Sequence, residues 1–119
     1  MPKVEILSEF VSKIGDGSID NLETLAVKPG EIWKVRQICF ELEETSSTWL
    51  ALYVYDGVTK KPLKVSYALF TDTAYEFMAI DWQGEMYLRE GERIIAYTET
   101  APNEYELRLF VLGERLKEE

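Results

Sequence analysis

The sequence contains no histidine and a single cysteine, Cys39, among its 119 residues. Without histidine there is no Ser-His or Cys-His pair for nucleophilic catalysis, and no zinc site of the usual histidine and cysteine kind. One cysteine forms no intrachain disulfide, and within an apolar run it is expected to behave as a small buried hydrophobic residue. Phosphate-binding, dinucleotide-binding and GxSxG motifs are also missing. We therefore predict a non-enzymatic protein without a cofactor or a metal.

Acidic residues are abundant and allow two functional interpretations. Paired carboxylates can hydrolyse glycosides, but among 22 Asp and Glu residues a pair is expected by chance. Asp16, Ser18 and Asp20 alternate in a glycine-containing loop, as some calcium ligands do, but the distal glutamate of an EF-hand is missing. Because Asp and Ser are common turn formers, we interpret this segment as a turn.

Basic residues are too few to balance the acidic ones, and the net charge is −9. Binding to a nucleic-acid backbone or to an anionic membrane requires clustered Lys and Arg, so neither is expected as a partner. No run approaches the roughly 18 apolar residues of a transmembrane helix. The first ten residues mix charged and apolar side chains too closely for a signal peptide.

Side-chain amides are scarce as well, with two asparagines and two glutamines in the whole sequence. Few thermolabile amides together with many glutamates is a bias reported for proteins from hot environments. The composition therefore predicts a thermophilic source.

Extended apolar stretches separated by turn residues dominate what is present. The longest is VKPGEIWKVRQICFELE, residues 27–43, in which Pro29 fixes φ and Gly30 supplies a positive φ. Turn signals recur about every 8–12 residues without sustained helical periodicity, which predicts an all-β fold. We predict an antiparallel, jelly-roll-like β-sandwich of roughly eight or nine strands. Residues 1–15 are predicted as an N-terminal strand or arm, 16–113 as the sandwich, and 114–119 as a charged, frayed tail.

The long stretch changes its inward face part-way along. Its first half places Trp33 and Val35 on one face, whereas the apolar residues of its second half fall on the other: Ile38, Phe40 and Leu42. Since side chains alternate with a period of two, either a β-bulge near Arg36 and Gln37 exchanges the faces or the strand is covered on both sides for part of its length, and we favour the bulge. Further along the chain, Gln83 and Gly84 predict a tight turn.

Aromatic residues exceed what one small core needs, and five were considered as contacts for a partner protein or a ligand: Trp33, Trp49, Tyr53, Tyr55 and Trp82. Aromatic residues in strands are most often core or cross-strand pairs. Trp and Tyr are also enriched at protein interfaces. Some could stack on sugars, so a carbohydrate-binding β-sandwich module that recognises a glycan is the alternative function.

Three segments resemble a small jelly-roll structural module of tailed viruses: VKPGEIWKV (27–35), WLALYV (49–54) and LREGERIIA (88–96). The structural turns that carry the resemblance are Pro29, Gly30 and Gly91. Lys28 departs from the pattern, which places the Val and the Pro side by side. The resemblance covers about residues 23–113.

This resemblance implies a capsid decoration, turret or tail-associated protein. Such a virion structural protein has no catalytic residues, often forms a homotrimer, and binds the major capsid protein or other virion proteins. Its expected location is the virion, assembled in the host cytoplasm. The N-terminal arm is then expected to reach a neighbouring subunit and add a strand there.

Overall fold

The computed structural model describes residues 3–15, 20–44, 47–69, 76–99 and 106–118. These ranges contain no helix, and so none long and apolar enough to cross a membrane. Asp16 and Ser18 of the possible calcium loop lie outside them. The chain forms eight strands: β1 (Lys3–Ile14), β2 (Asp20–Glu23), β3 (Glu31–Glu44), β4 (Thr48–Tyr55), β5 (Lys60–Ala68), β6 (Glu76–Leu88), β7 (Arg93–Thr98) and β8 (Glu106–Lys117).

The strands pair like one long hairpin folded over on itself. Strand β1 pairs with β8, β2 with β7, β3 with β6 and β4 with β5, all antiparallel. Two further pairings, β3 with β8 and β4 with β7, join these pairs into a first sheet β1-β8-β3-β6 and a second sheet β2-β7-β4-β5. Two packed four-stranded sheets in this order form a jelly roll. The predicted all-β sandwich is confirmed.

The core lies between the two sheets and follows the alternation of the strands. Leu50, Leu52 and Val54 of β4 point inward from the second sheet, as do Leu107, Leu109 and Val111 of β8 from the first. All six are buried, and inner faces that alternate with outer polar positions are what a sandwich core requires.

The face change predicted in β3 is confirmed as a β-bulge at Arg36. Between Val35 and Gln37 the register shifts against both neighbours, so that β3 has one residue more than β8 and β6 has one residue more than β3. The predicted turn at Gln83 and Gly84 is wrong. Strand β6 continues through both residues, because the extra residue of β6 absorbs the bulge of β3.

Both ends of the chain belong to the first sheet. Residues 3–14 pair with β8 of the same chain, so they form its edge strand rather than a free arm. The tail predicted from residue 114 is wrong for residues 114–117, which extend β8 between β1 and β3. Pairing on both sides and cross-strand ion pairs hold this charged segment in the sheet.

The two glycine turns that resemble each other in sequence are neighbours in the fold. Gly30 and Gly91 both have positive φ, 80° and 86°. The Gly91 amide donates to the Val27 carbonyl at 2.9 Å, and the Val27 amide donates to the Glu92 carbonyl at 2.9 Å. The turns that begin β3 and β7 are therefore tied together at one end of the sandwich.

Candidate interface surfaces

The structure brings together three of the five aromatic residues considered as contacts. Trp49, Tyr53 and Tyr55 alternate along β4 on the outer face of the second sheet. Trp33 lies instead in the core with 2% of its surface exposed, and Trp82 of β6 is partly buried against the core. Only the β4 aromatics are placed to meet a partner.

These outer aromatics contact separate neighbours and do not form one flat platform. Trp49 packs on Tyr67 with ring centroids 4.9 Å apart and planes inclined by 59°. The Arg93 guanidinium lies over the Tyr55 ring at 5.1 Å. The Tyr55 hydroxyl also donates to the Gly57 carbonyl at 2.8 Å. Since tilted and occupied rings offer little area for stacking, this face has no specific feature of a sugar site.

A larger exposed apolar surface lies on β1, where sequence reasoning did not place a site. We define the β1 patch as five outward side chains, Val4, Ile6, Phe10, Ile14 and Leu112, with exposed fractions of 62%, 84%, 53%, 60% and 39%. Phe10 also packs on Phe110 of β8 at 4.9 Å between ring centroids. Contiguous apolar patches of this kind on a single chain commonly mark interaction sites.

The sequence of β1 carried a signal for this surface. The run VEILSEFVSKI alternates poorly because apolar residues occupy both faces of the strand. Leu7 is fully buried and Val11 packs against the core, whereas the members of the β1 patch face solvent. A two-sided apolar strand at a sheet edge has one side for the core and one for another surface.

The inner face at the same end of the first sheet carries a balanced network of charges instead of core residues. Lys117 bridges Glu5 at 3.2 Å and Glu31 at 3.8 Å, Arg115 bridges Glu9 and Glu31, and Lys3 lies 3.5 Å from Glu5. The Lys117 hydrogen bond lowers the pKa of Glu5. Individually such pairs contribute little, but together they neutralise this end of a strongly acidic chain.

A shallow groove continues the apolar surface of the β1 patch along the outer face of the first sheet, towards β3. Val4, Leu116 and Ile32 form one cross-strand row on the outer face of the first sheet. Ile32 and Leu116 line a groove of about 440 Å³, which also contacts Gly30 and Lys117. The apolar surface thus spans three strands.

Charged side chains surround the bulge on the outer face of the first sheet. Lys34 Nζ lies 2.7 Å from Glu85 Oε1, and this hydrogen bond raises the pKa of Lys34 and lowers that of Glu85. Arg36 Nε donates to Glu114 Oε1 at 3.0 Å. No group of three or more potential metal-ligating side chains occurs in the described ranges. The arrangement organises surface charge and has no nucleophile or proton-transfer pair.

No protein-family model matches the sequence, and no curated protein matches it. Solved structures do contain similar chains. One belongs to a structure titled "Structure of infectious bursal disease virus Gx strain", with 8% sequence identity and a TM-score of 0.41. The match covers 98% of this chain and 31% of that chain, so this protein spans less than a third of the viral chain's length. Similarity this distant assigns neither a family nor a function.

Proposed function

We propose that this protein is a non-enzymatic virion structural protein, a jelly-roll subunit of the head or tail surface that binds the virion lattice and its own copies. The observation that carries the proposal is the β1 patch. It is an exposed apolar surface of five side chains on the outer face of the first sheet. Proteins with such surfaces act by binding other macromolecules.

The resemblance to the tailed-virus module supports the same proposal. Its three segments coincide with the turn into β3, with β4, and with the turn into β7. Gly30 and Gly91 have the positive φ that these turns require, so the residues that carry the resemblance also shape the fold. A capsid decoration protein of a tailed virus is the form of the proposal that these residues favour.

Further details of the proposal come from the resemblance and the composition. The resemblance implies a homotrimer bound to the major capsid protein or another virion protein, in particles assembled in the host cytoplasm. The scarcity of Asn and Gln and the abundance of Glu favour a thermophilic host. Recombinant protein that unfolds only above about 80 °C would support that source, and a transition near the 45–65 °C of mesophile domains would not.

Labelling of purified particles tests the proposed function. Antibodies against the recombinant protein are applied to virus particles banded by density from a culture of the source. Regular labelling of heads or tails in electron micrographs is expected. Signal confined to the particle-free fraction would overturn the proposal, as would selective glycan binding that Trp49→Ala abolishes in the absence of particle labelling.

A further inference from the structure

Of the four sheet edges in the part of the chain that the structure describes, β1 has the fewest features that normally protect an edge from pairing, namely Lys3 and Lys13 near its ends. Strand β2 has only four residues, and β6 carries the bulge at Gly84. Strand β5 has a register irregularity beside Pro62 and exposes several lysines. Short length, bulges, proline and lysine are the usual means of preventing edge-to-edge association.

Strand β1 is long, regular and free of proline. Its register with β8 is unbroken over twelve residues, from Lys3↔Lys117 to Ile14↔Glu106. The backbone groups on its other side face away from the sheet, because β1 ends the order β1-β8-β3-β6. Such an edge is a template for a further strand, with main-chain hydrogen bonds for affinity and alternate side chains for specificity.

From these features we infer that β1 pairs antiparallel with β1 of a second copy of this chain, which joins two first sheets into one eight-stranded sheet. This inference concerns the self-association within the proposed function and rests on it, and it gives a two-fold pair in place of the homotrimer that the resemblance implies. A symmetric interface needs the same surface on both copies, and an antiparallel pair of identical strands meets that condition.

The distribution of charge favours a second copy of this chain as the partner of the β1 edge. The whole chain carries a net charge of −9, so two copies repel each other over most of their surfaces. Within β1, however, Lys3 and Lys13 balance Glu5 and Glu9. Next to β1, Arg115 and Lys117 of β8 add two positive charges and Glu31 of β3 adds one negative charge. Two copies therefore meet here with little net repulsion.

The pattern of side chains selects one register. Residues opposite each other in an antiparallel pair lie on the same face, so the centre of symmetry must fall on a residue of β1. A centre at Glu9 sets that acid against itself, and a centre at Leu7 sets Glu5 against Glu9 twice. A centre at Ser8 avoids both acid pairs, places Ile6 opposite Phe10 of the second copy twice, and pairs residues 3–13. A centre at Phe10 also avoids the acid pairs, but it pairs only residues 6–14, so the longer pairing favours Ser8.

The register centred on Ser8 also determines the neighbours of the other charged residues of β1. Lys3 and Lys13 of the two copies become opposed at the strand ends, where Lys3 already lies 3.5 Å from Glu5. Glu5 opposes Val11 of the second copy and has Lys13 and Glu9 of that copy as its two diagonal neighbours, so the favourable contact with Lys13 offsets the unfavourable one with Glu9. The two like-charged pairs, Lys3 with Lys13 at each end, lie at solvent-exposed strand ends, so their cost is small.

Apolar contact contributes at the centre of the pair. Edge pairing places Ile6 beside Phe10 of the second copy on the outer face of the joined sheet, where each covers part of the other's surface. Main-chain hydrogen bonds along the paired strands add to this. The groove lined by Ile32 and Leu116 continues the apolar surface from β1 across β8 to β3.

Sedimentation velocity and light scattering of the full chain test this pairing. Ile6→Lys places a charge in the interface at a side chain that is 84% exposed in the single chain, so folding is expected to be unaffected. The matched control is Val58→Lys, at a residue that is 88% exposed in the turn before β5. We expect Ile6→Lys to halve the assembled mass and Val58→Lys to leave it unchanged, with equal melting temperatures.

Cysteine cross-linking tests the register. In a Cys39→Ser background, Ser8→Cys places two thiols at the centre of symmetry, within the Cα separation that a disulfide spans. The matched control is Ser12→Cys, whose two copies would lie about 25 Å or more apart along the paired strands. Mild oxidation is expected to give a covalent dimer for the first variant only.

Failure of this inference is distinguishable from failure of the proposed function. A monomer at about 100 μM, an assembly that Ile6→Lys leaves intact, or cross-linking at Ser12 rather than Ser8 would overturn the β1 pairing. Particle labelling would still stand in each of these cases. A β1-paired dimer that is missing from purified particles would instead overturn the virion role.

Discussion

Gly113 of β8 lies so close to Lys34 of β3 that a side chain at position 113 would overlap the Lys34 carbonyl oxygen. The two residues meet at the β-bulge, where β3 has one residue more than β8. The obstacle is backbone in the middle of a sheet, and it has no room to move. We expect Gly113→Ala to lower the free energy of unfolding by about 2–4 kcal/mol, measured by urea denaturation.

Gly84 provides the matched control on the other side of the same bulge. A Cβ at position 84 would lie 3.0 Å from the Trp82 ring, which belongs to a side chain and can shift. The loss for Gly84→Ala is therefore expected to be about 1 kcal/mol, smaller than that for Gly113→Ala. Equal losses for the two variants would show that the Lys34 carbonyl is not the obstacle.

The turn at Gly91 depends on backbone conformation and not on space. Its φ is 86°, and nothing lies within 4 Å of where a Cβ would be. Gly91→Ala is expected to cost about 1–2 kcal/mol of unfolding free energy, because an L-residue is strained in the left-handed region. Gly91→Asn should cost less, since asparagine tolerates that region. Thermal or urea unfolding of the two variants checks this order. If Gly91→Asn loses as much unfolding free energy as Gly91→Ala, or more, then steric contacts of the side chain contribute.

Because of Asp56, the protein is predicted to become less stable at acidic pH. Its carboxylate accepts the amides of Thr59 at 2.7 Å and Val58 at 2.8 Å, which lowers its pKa from the ordinary 3.8. A pKa lowered by folding stabilises the protein above pH 3.8, and this contribution is lost as the pH falls through the folded pKa. Asp56→Asn keeps the acceptor oxygen and removes the titration.

Urea unfolding between pH 5 and 2.5 checks this expectation. The variant should lose less stability than the wild type over the acid part of the range, while the two curves run parallel above pH 5. An Asp56 carboxyl carbon that titrates at or above pH 3.8 by NMR would contradict the assigned hydrogen bonds.

Cys39 is predicted to react slowly with thiol reagents. It is partly buried on the outer face of β3, and burial raises its pKa, with smaller contributions from Glu41 and Asp81. Because the thiolate is the reactive form, the labelling rate at pH 7.5 should be well below that of a free thiol and rise with pH. Asp81→Asn should speed labelling only modestly, since burial is the main cause. A fast wild-type reaction would contradict this environment.

The bulge shows how far the sequence determines the fold. The shift of inward residues between Val35 and Ile38 required an extra residue, and the structure has it at Arg36. The same alternation rule could not locate the extra residue of β6 that lies opposite this bulge. There Gln83 and Gly84 have the composition of a turn, and only pairing with the bulged β3 keeps them extended.

The C-terminal end and the candidate surface depended on information that the local pattern lacks. Charged residues 114–117 resemble a tail in composition, yet Arg115 and Lys117 find acidic partners on both neighbouring strands. Likewise, the sequence of β1 shows apolar residues on both faces but not which one the second sheet covers. The order of the strands decides both which neighbours residues 114–117 meet and which face of β1 the second sheet covers.

That strand order also governs when a chain becomes able to assemble. Strand β1 leaves the ribosome first, but its sole partner in the two sheets is β8, the last strand to be made. Strand β8 must insert between β1 and β3, so the first sheet stays divided until that moment. Leu112 joins the other members of the β1 patch only when β8 is in place. The β1 patch is therefore complete only where β8 has paired with β1, and a chain interrupted before β8 lacks both Leu112 and the strand that β1 pairs with.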